Sequence, residues 1–369
     1  MYGPFSPFHN YHQLYLEVSM PNFSKIIVTG ADGWLGFGLL NKLCELVKKP
    51  GTVFYKSEII ALIQNDKSNK LLSGFDVVPV KGDLRFESTS TALLKDAEGS
   101  LVFNLAGIIH PTIFGQRAFY EVNHRAMSKF ALECVAQGVK KFVGMSSNSP
   151  CGYSKDKSCL FNEDSVYFPY MGYGRSKMLM EKSLVEISSS SNRTNFTIIR
   201  SPWFYGPFQP ARQTEFFSLI KNGLFPLIGG GVSMRSMAYI DNLVHGLILS
   251  ANYFSSNGEI FWIADEQPYS MKEIVFTIKR LLQNEFGMKV SSKQVYLPSA
   301  ISDIARAADF ITQSIGLYVQ KVHVLSEMNQ TIACSVKKAS DVLNYKPEIK
   351  LEEGMRRSID WCLRNNRAI

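Results

Sequence analysis

The chain has 369 residues, 46% hydrophobic and 20% charged, which is enough apolar material for a large core and excludes a disordered polymer. Its 40 basic and 32 acidic residues give a net charge of +8, but the basic ones occur as scattered pairs such as Lys48-Lys49, Lys140-Lys141 and Arg356-Arg357, so a nucleic-acid partner is not expected. No apolar run reaches the roughly 18 residues of a membrane span, the longest being strand-sized, which leaves peripheral contact as the only membrane role open.

At roughly 100 to 200 residues per domain, the length predicts two lobes or one enlarged α/β domain with an appendage. The six cysteines (Cys44, Cys134, Cys151, Cys159, Cys334, Cys362) have neither Cys-x-x-Cys spacing nor a histidine cluster, so no metal site or disulfide framework is expected. A cytoplasmic, reducing compartment is the simplest expectation. Residues 1–24 carry Pro4, Pro7 and several aromatics but no basic n-region, and are read as a tail, with Met20 standing just before the first strand.

From Lys25 onward, β-branched runs alternate with amphipathic stretches of helix length, the pattern of βαβ units and a doubly wound, Rossmann-type parallel sheet in an α/β fold. Strands are predicted at 25–29, 58–63, 76–80, 100–105, 141–146, 196–200 and 259–264, and helices at 35–47, 118–137 and 173–187. Such a sheet binds ligands beyond the carboxyl ends of its strands, so chemistry is expected in the loops after Thr29, Leu105, Ser146 and Arg200. After Arg200 the texture turns to prolines, aromatics and the run Gly229-Gly230-Gly231, which predicts a smaller C-terminal substrate-binding lobe. The expected division is 25–200 with 237–264 for the dinucleotide domain, and 201–236 with 265–369 for the substrate lobe. The stretch 299–325, amphipathic and poor in charge, is read as a lobe-packing helix pair, with a lid or a peripheral membrane patch as alternatives.

The first predicted strand runs straight into Gly30-Ala31-Asp32-Gly33-Trp34-Leu35-Gly36 and then a helix. Gly30 permits the tight turn, Gly33 lets the backbone approach a pyrophosphate, and Gly36 lets helix and strand pack closely, while the helix N-terminus offers N–H groups to the phosphates. Asp32, Trp34 and Leu35 fall within the same cofactor loop. Gln64 ends the second strand, where a carboxylate would bind the ribose of NAD and an arginine would accept the phosphate of NADP. Gln64 is neither, and Asp66 and Lys67 each fit one answer, so NAD and NADP both stay open.

Ser146-Ser147-Asn148-Ser149 follows the fifth strand, and Tyr173-Gly174-Arg175-Ser176-Lys177 opens a helix. Removing a proton from an alcohol as its hydride departs needs a base, yet a free tyrosine has a pKa of about 10. Lys177, one helical turn on, is expected to lower that of Tyr173, and Ser147 to hold the substrate oxygen. A second Tyr-x-x-x-Lys, from Tyr153 to Lys157, lies in a loop pattern where its side chains have no fixed relation.

These motifs resemble the extended short-chain dehydrogenase/reductase family, the NAD-dependent epimerase/dehydratase superfamily, from about Lys25 to the C-terminus. The resemblance implies that Asp83 and Leu84 meet the adenine side of the cofactor, and that Leu105, Ala106 and Gly107 line it after the fourth strand. It further implies roles for Asn123, for Pro202 beyond the sixth strand, and for Lys177 on the nicotinamide ribose, and a homodimer formed through the helices at 118–137 and 173–187. Asn148-Ser149 stand where dehydratases of the family carry Asp-Glu, and Trp203 where epimerases place asparagine against a sugar diphosphate. The stretch from Met237 to Gly246 is similar to the 3β-hydroxysteroid dehydrogenase and sterol-4α-carboxylate 3-dehydrogenase branch, so a small-molecule secondary alcohol, apolar and hydroxysteroid-like, is the expected substrate. Arg235, where epimerases hold a substrate phosphate, keeps a nucleotide-sugar epimerase as the alternative, and a non-catalytic cofactor sensor is the third reading. Ser149, Trp203 and Arg235 are the expected substrate contacts.

Overall fold

The structure is a computed structural model and describes residues 22–65, 68, 71–110, 115–154, 159–255 and 258–369. Strand and helix alternate through β1 (Lys25–Thr29), α1 (Trp34–Leu46), β2 (Glu58–Ile63), β3 (Val78–Lys81), α2 (Glu87–Leu93) and β4 (Leu101–Asn104). Then come α3 (Arg117–Phe119, continuing through a π-turned stretch Tyr120–Ala126 into Met127–Ala136), β5 (Lys141–Met145), α4 (Met171–Ser190) and β6 (Asn195–Arg200). Shorter pieces follow: β7 (Trp203–Tyr205), α5 (Ala211–Lys221), β8 (Leu227–Ile228), β9 (Met234–Arg235), β10 (Met237–Tyr239), α6 (Ile240–Ala251), β11 (Glu259–Trp262) and β12 (Tyr269–Ser270). The chain closes with α7 (Met271–Arg280), β13 (Tyr296–Leu297), α8 (Ala300–Ser314), α9 (Gln320–Glu327), α10 (Lys337–Leu343) and α11 (Leu351–Arg364).

The expected parallel sheet is present, with seven strands in the order β11-β6-β5-β4-β1-β2-β3. Its central strands are covered on both faces, which is why β1, β4 and β5 read as continuous apolar runs and not as alternating ones. Strand β3 starts two residues later than predicted and carries Pro79, which is tolerated because β3 lies at the sheet edge. Leu39, Leu40 and Leu43 of α1 and Leu243 and Leu247 of α6 are buried on one face, while Met127, Phe130, Met180 and Leu184 of α3 and α4 are buried on the other. Each such side chain contributes roughly 2 kcal/mol by leaving water. Strand order turns between β1 and β4, so their following loops diverge and open a crevice at the carboxyl edge.

Helices α8 and α9 form the packed pair expected within 299–325. Helix α8 is amphipathic in the reverse sense: Ser302, Asp309 and Gln313 are buried, whereas Ile304, Ile311 and Ile315 are 65%, 61% and 69% exposed. Its polar side meets residues far earlier in the chain, with Gln313 accepting from Gln116 at 3.0 Å and Asp309 accepting from Tyr170 at 3.0 Å. No helix among the described residues is long and apolar enough to cross a membrane.

Candidate active site

Gly30 turns the chain at the end of β1 with φ +65°, and a Cβ there would lie 2.9 Å from the Ala106 nitrogen. A Cβ on Gly36 would lie 2.1 Å from the Gly30 carbonyl oxygen, so the β1 loop, α1 and the β4 loop interlock only with hydrogen at both positions. Gly33 N–H donates to Gly30 O at 3.0 Å, and no side chain caps α1, so its first turn keeps N–H groups and a positive dipole end for an anion. Asp32 accepts from the Gln64 N–H at 3.1 Å and ties this loop to the end of β2. Asp66 and Lys67, which bear on NAD against NADP, lie outside the described residues.

The other expected cofactor residues gather along the same edge. The Trp34 indole N–H donates to Pro207 O at 2.6 Å and its ring centroid lies 4.8 Å from that of Phe204, while Leu35 is buried under the helix. Arg85 grips the Asp83 carboxylate at 2.6–3.1 Å and holds it below the usual carboxylate range, and Leu84 packs against the core on the α2–α4 side. Thr29 joins the β1 and β4 loops, accepting from Ala106 N–H at 3.2 Å beside Leu105, whose N–H donates to Thr29 O at 3.3 Å. Asn123 sits in the π turn of α3, accepts from Ile108 N–H at 2.8 Å and donates to Ile108 O at 2.9 Å. A Cβ on Gly107 would fill the space 3.1 Å from Asn123 Oδ1 and 3.5 Å from Lys177 Nζ. These glycine-lined gaps and the uncapped helix fit a dinucleotide. Pro202 is buried in the turn between β6 and β7.

Tyr173 lies in the first turn of α4, and Ser147 is the second residue after β5. Burial pushes the Tyr173 phenol up, while hydrogen bonding with Ser147 and the nearby Arg212 guanidinium pull it down. Lys177 itself is buried, its ammonium donates to Met145 O at 2.9 Å, and burial brings its pKa down to about 8 against the pull of Glu181. Ser147 Oγ lies 3.2 Å from Ser149 Oγ and accepts from the Ser149 N–H at 3.3 Å. One turn beyond Lys177, the buried Glu181 receives Arg200 at 2.7 Å, Tyr167 at 2.8 Å and the Ser146 hydroxyl.

A cleft partly open to solvent runs from Ser149 and Tyr173 to Tyr153, Arg306, His323 and Glu327. Among the three expected substrate contacts it includes Ser149. Trp203 instead packs edge-on against Phe216 with centroids 5.2 Å apart, and Arg235 donates from β9 to Glu327 O behind the wall. Sequence reasoning missed Arg306, Gln313 and His323. The available signal was the polar stripe Ser302, Arg306, Asp309 and Gln313 along α8, at steps of four, three and four residues.

Among known proteins, the chain is 41% identical over 348 residues to the uncharacterized protein y4nL of Sinorhizobium fredii, covering 94% of this chain and 97% of that one. It is 24% identical to the decarboxylating sterol-4-alpha-carboxylate 3-dehydrogenase of Schizosaccharomyces pombe, covering 93% of this chain and 98% of that one. The fold is similar to that of the Thermotoga maritima UDP-glucose 4-epimerase with UDP-glucose, at a TM-score of 0.71 and 19% identity, over 93% of this chain and 99% of that one. The profile of the NAD dependent epimerase/dehydratase family matches residues 26–264, where the glycine loop, Ser147, Tyr173 and Lys177 all lie, and the chain belongs to that family of nicotinamide-dependent enzymes.

Proposed function

We propose that the protein is an NAD(P)-dependent oxidoreductase that interconverts a secondary alcohol and a ketone, with Tyr173 as acid and base. The observation that carries this reading is the pairing of Tyr173, which lines the cleft, with Ser147, and the placing of Lys177 beside the Gly107 loop. Bound NAD(P) would supply the hydride acceptor, or the donor in the reverse direction. In oxidation the alcohol proton passes to Tyr173 Oη as the carbinol hydrogen leaves with its electron pair, and in reduction Tyr173 returns that proton to the carbonyl oxygen. Ser147 Oγ holds the substrate oxygen, and Lys177 Nζ faces the gap at Gly107 where a nicotinamide ribose would rest. Ile109, Phe119 and Ile332 give the cleft apolar wall, which suits a hydrocarbon framework around the alcohol. Arg235 does not line the cleft and spends its guanidinium on the Glu327 backbone carbonyl, which removes support from a sugar-diphosphate subsite at that residue.

The test follows nicotinamide absorbance with a panel of secondary alcohols, hydroxysteroids included. Net reduction of NAD or NADP is expected, and Tyr173→Phe should lower kcat/KM by about 10²–10⁴ while cofactor binding, read by fluorescence, is kept. Near wild-type turnover by Tyr173→Phe refutes the assignment. Interconversion of sugar epimers with no net absorbance change would replace it with the epimerase reading.

A further inference from the structure

The helix that carries Tyr173 begins without a cap of its own. Tyr170 occupies the N-cap position of α4 and its side chain makes no capping bond. Met171, next in the chain, is left-handed with φ +51°, a conformation that a non-glycine residue keeps only where its surroundings enforce it. Two distant elements do so. Gly172 N–H donates at 2.8 Å to Oε1 of Gln116, the residue at the head of α3, and a Cβ on Gly172 would collide with that oxygen. Gln116 Nε2 in turn donates to Gln313 Oε1 of α8 at 3.0 Å, and Gln313 Nε2 donates to Asp309 Oδ2 at 2.9 Å. The Tyr170 hydroxyl donates to the same Asp309 oxygen at 3.0 Å, with His323 Nδ1 2.9 Å from it. Asp309 is fully buried and its Oδ1 has no partner, so the groups converging on Oδ2 alone fix the carboxylate. Across the turn, a Cβ on Gly174 would lie 2.7 Å from Ser149 O, which leaves no slack on that side. Tyr173 stands within this clamp, its ring centroid 5.8 Å from that of Phe119.

We propose that Gln116, Gln313 and Asp309 are positioning residues for Tyr173: a side-chain relay from α8 supplies the cap that the catalytic helix lacks and sets where the phenol stands in the cleft. The three act through the backbone of residues 170–173. What the phenol does there rests on the oxidoreductase reading; where it stands does not.

The test therefore reads the place of the phenol apart from turnover. 3-Fluorotyrosine is installed at position 173 alone, and its fluorine resonance is recorded in the NAD-loaded protein. Gln116→Leu and Gln313→Leu should shift or broaden that resonance and speed amide hydrogen exchange across 170–177 several-fold, with exchange in β5 and β6 unchanged. Gln116→Glu keeps an acceptor for the Gly172 N–H and should return both readings toward the wild type. A wild-type resonance in both leucine variants overturns the proposal, and so does a displacement equally large in Gln116→Glu. Exchange that rises as much in β5 and β6 as in 170–177 marks general loosening and overturns it too. With an alcohol that the wild type oxidises, both leucine variants should lower kcat by about 10–100-fold with KM little changed. A displaced resonance with unchanged kcat would make the relay merely structural. A wild-type protein that oxidises no alcohol, while its leucine variants displace the resonance and Gln116→Glu restores it, keeps the relay and loses the oxidoreductase reading.

Discussion

In the proposed oxidation Tyr173 must part with a proton near neutral pH, yet burial favours its neutral form and raises its pKa. The two influences that oppose burial come from different elements: Ser147 after β5, and Arg212 on α5, whose Nη1 also meets His110 Nε2. Arg212 is itself buried enough that its own pKa is lowered, so its charge is poorly screened by water and acts strongly on the phenol. Oxidation needs the phenolate, so the rate should climb as pH rises toward the Tyr173 pKa. Removing a group that lowers that pKa must move the climb to higher pH. Arg212→Gln is therefore expected to oxidise substrate several-fold more slowly at neutral pH and to recover at alkaline pH, whereas Arg212→Lys keeps the wild-type profile. A kcat/KM profile that does not move in Arg212→Gln would remove Arg212 from this role. The charge on Lys177 works in a different window: with a pKa of about 8, it is present at neutrality and fades as pH rises past that value.

At the scale of elements, the π turn in α3 does what a regular helix could not: it breaks the helix register at Asn123 so that one amide serves both backbone groups of Ile108. That pairing holds the β4 loop beside Gly107 and Lys177. Asn123→Leu keeps the volume but leaves the Ile108 N–H and C=O without a partner. The expected cost is about 1–3 kcal/mol for each group, together with weaker cofactor binding. Urea denaturation and a fluorescence titration with NADH measure the two effects. Lost stability with unchanged cofactor affinity would make Asn123 merely structural. The strands, the glycine loop and the Tyr173–Lys177 pair were legible in the sequence because each is a local pattern, with its period or spacing written in adjacent residues. The π turn was not, since it alters the apolar spacing of 118–137 by only one residue. The Arg306 wall was not either: Arg306, Tyr153 and His323 line one cleft only when α8 and α9 fold back over residues far earlier in the chain, and no local spacing marks that meeting.

At the scale of the whole molecule, the catalytic helix is anchored by a charge pair placed where water does not reach. Glu181 and Arg200 are both buried, joined at 2.7 Å, and each is surrounded by further partners. Arg200 Nη1 donates to Glu163 O at 3.2 Å, and its guanidinium lies 5.3 Å from the Tyr167 ring centroid and 5.7 Å from that of Trp262. Glu163 in turn accepts from the Trp262 N–H at 3.0 Å. Helix α4, strands β6 and β11, Ser146 after β5, and Glu163 and Tyr167 therefore meet at one ion pair, one helical turn beyond Lys177. Desolvating two charges costs nearly what their attraction returns, but removing one alone leaves the other stranded. Glu181→Gln should accordingly cost about 3–5 kcal/mol. The double change Glu181→Leu with Arg200→Met should cost markedly less, because neither charge remains to be desolvated. Urea midpoints at pH 7 measure both, and equal losses for the single and double variants would show that packing, and not the stranded charge, sets the penalty. Catalysis should separate from stability in the same pair of proteins: both lose the Glu181 charge that raises the Lys177 pKa, so both should lose Lys177-dependent activity at lower pH than the wild type, however well the double variant folds.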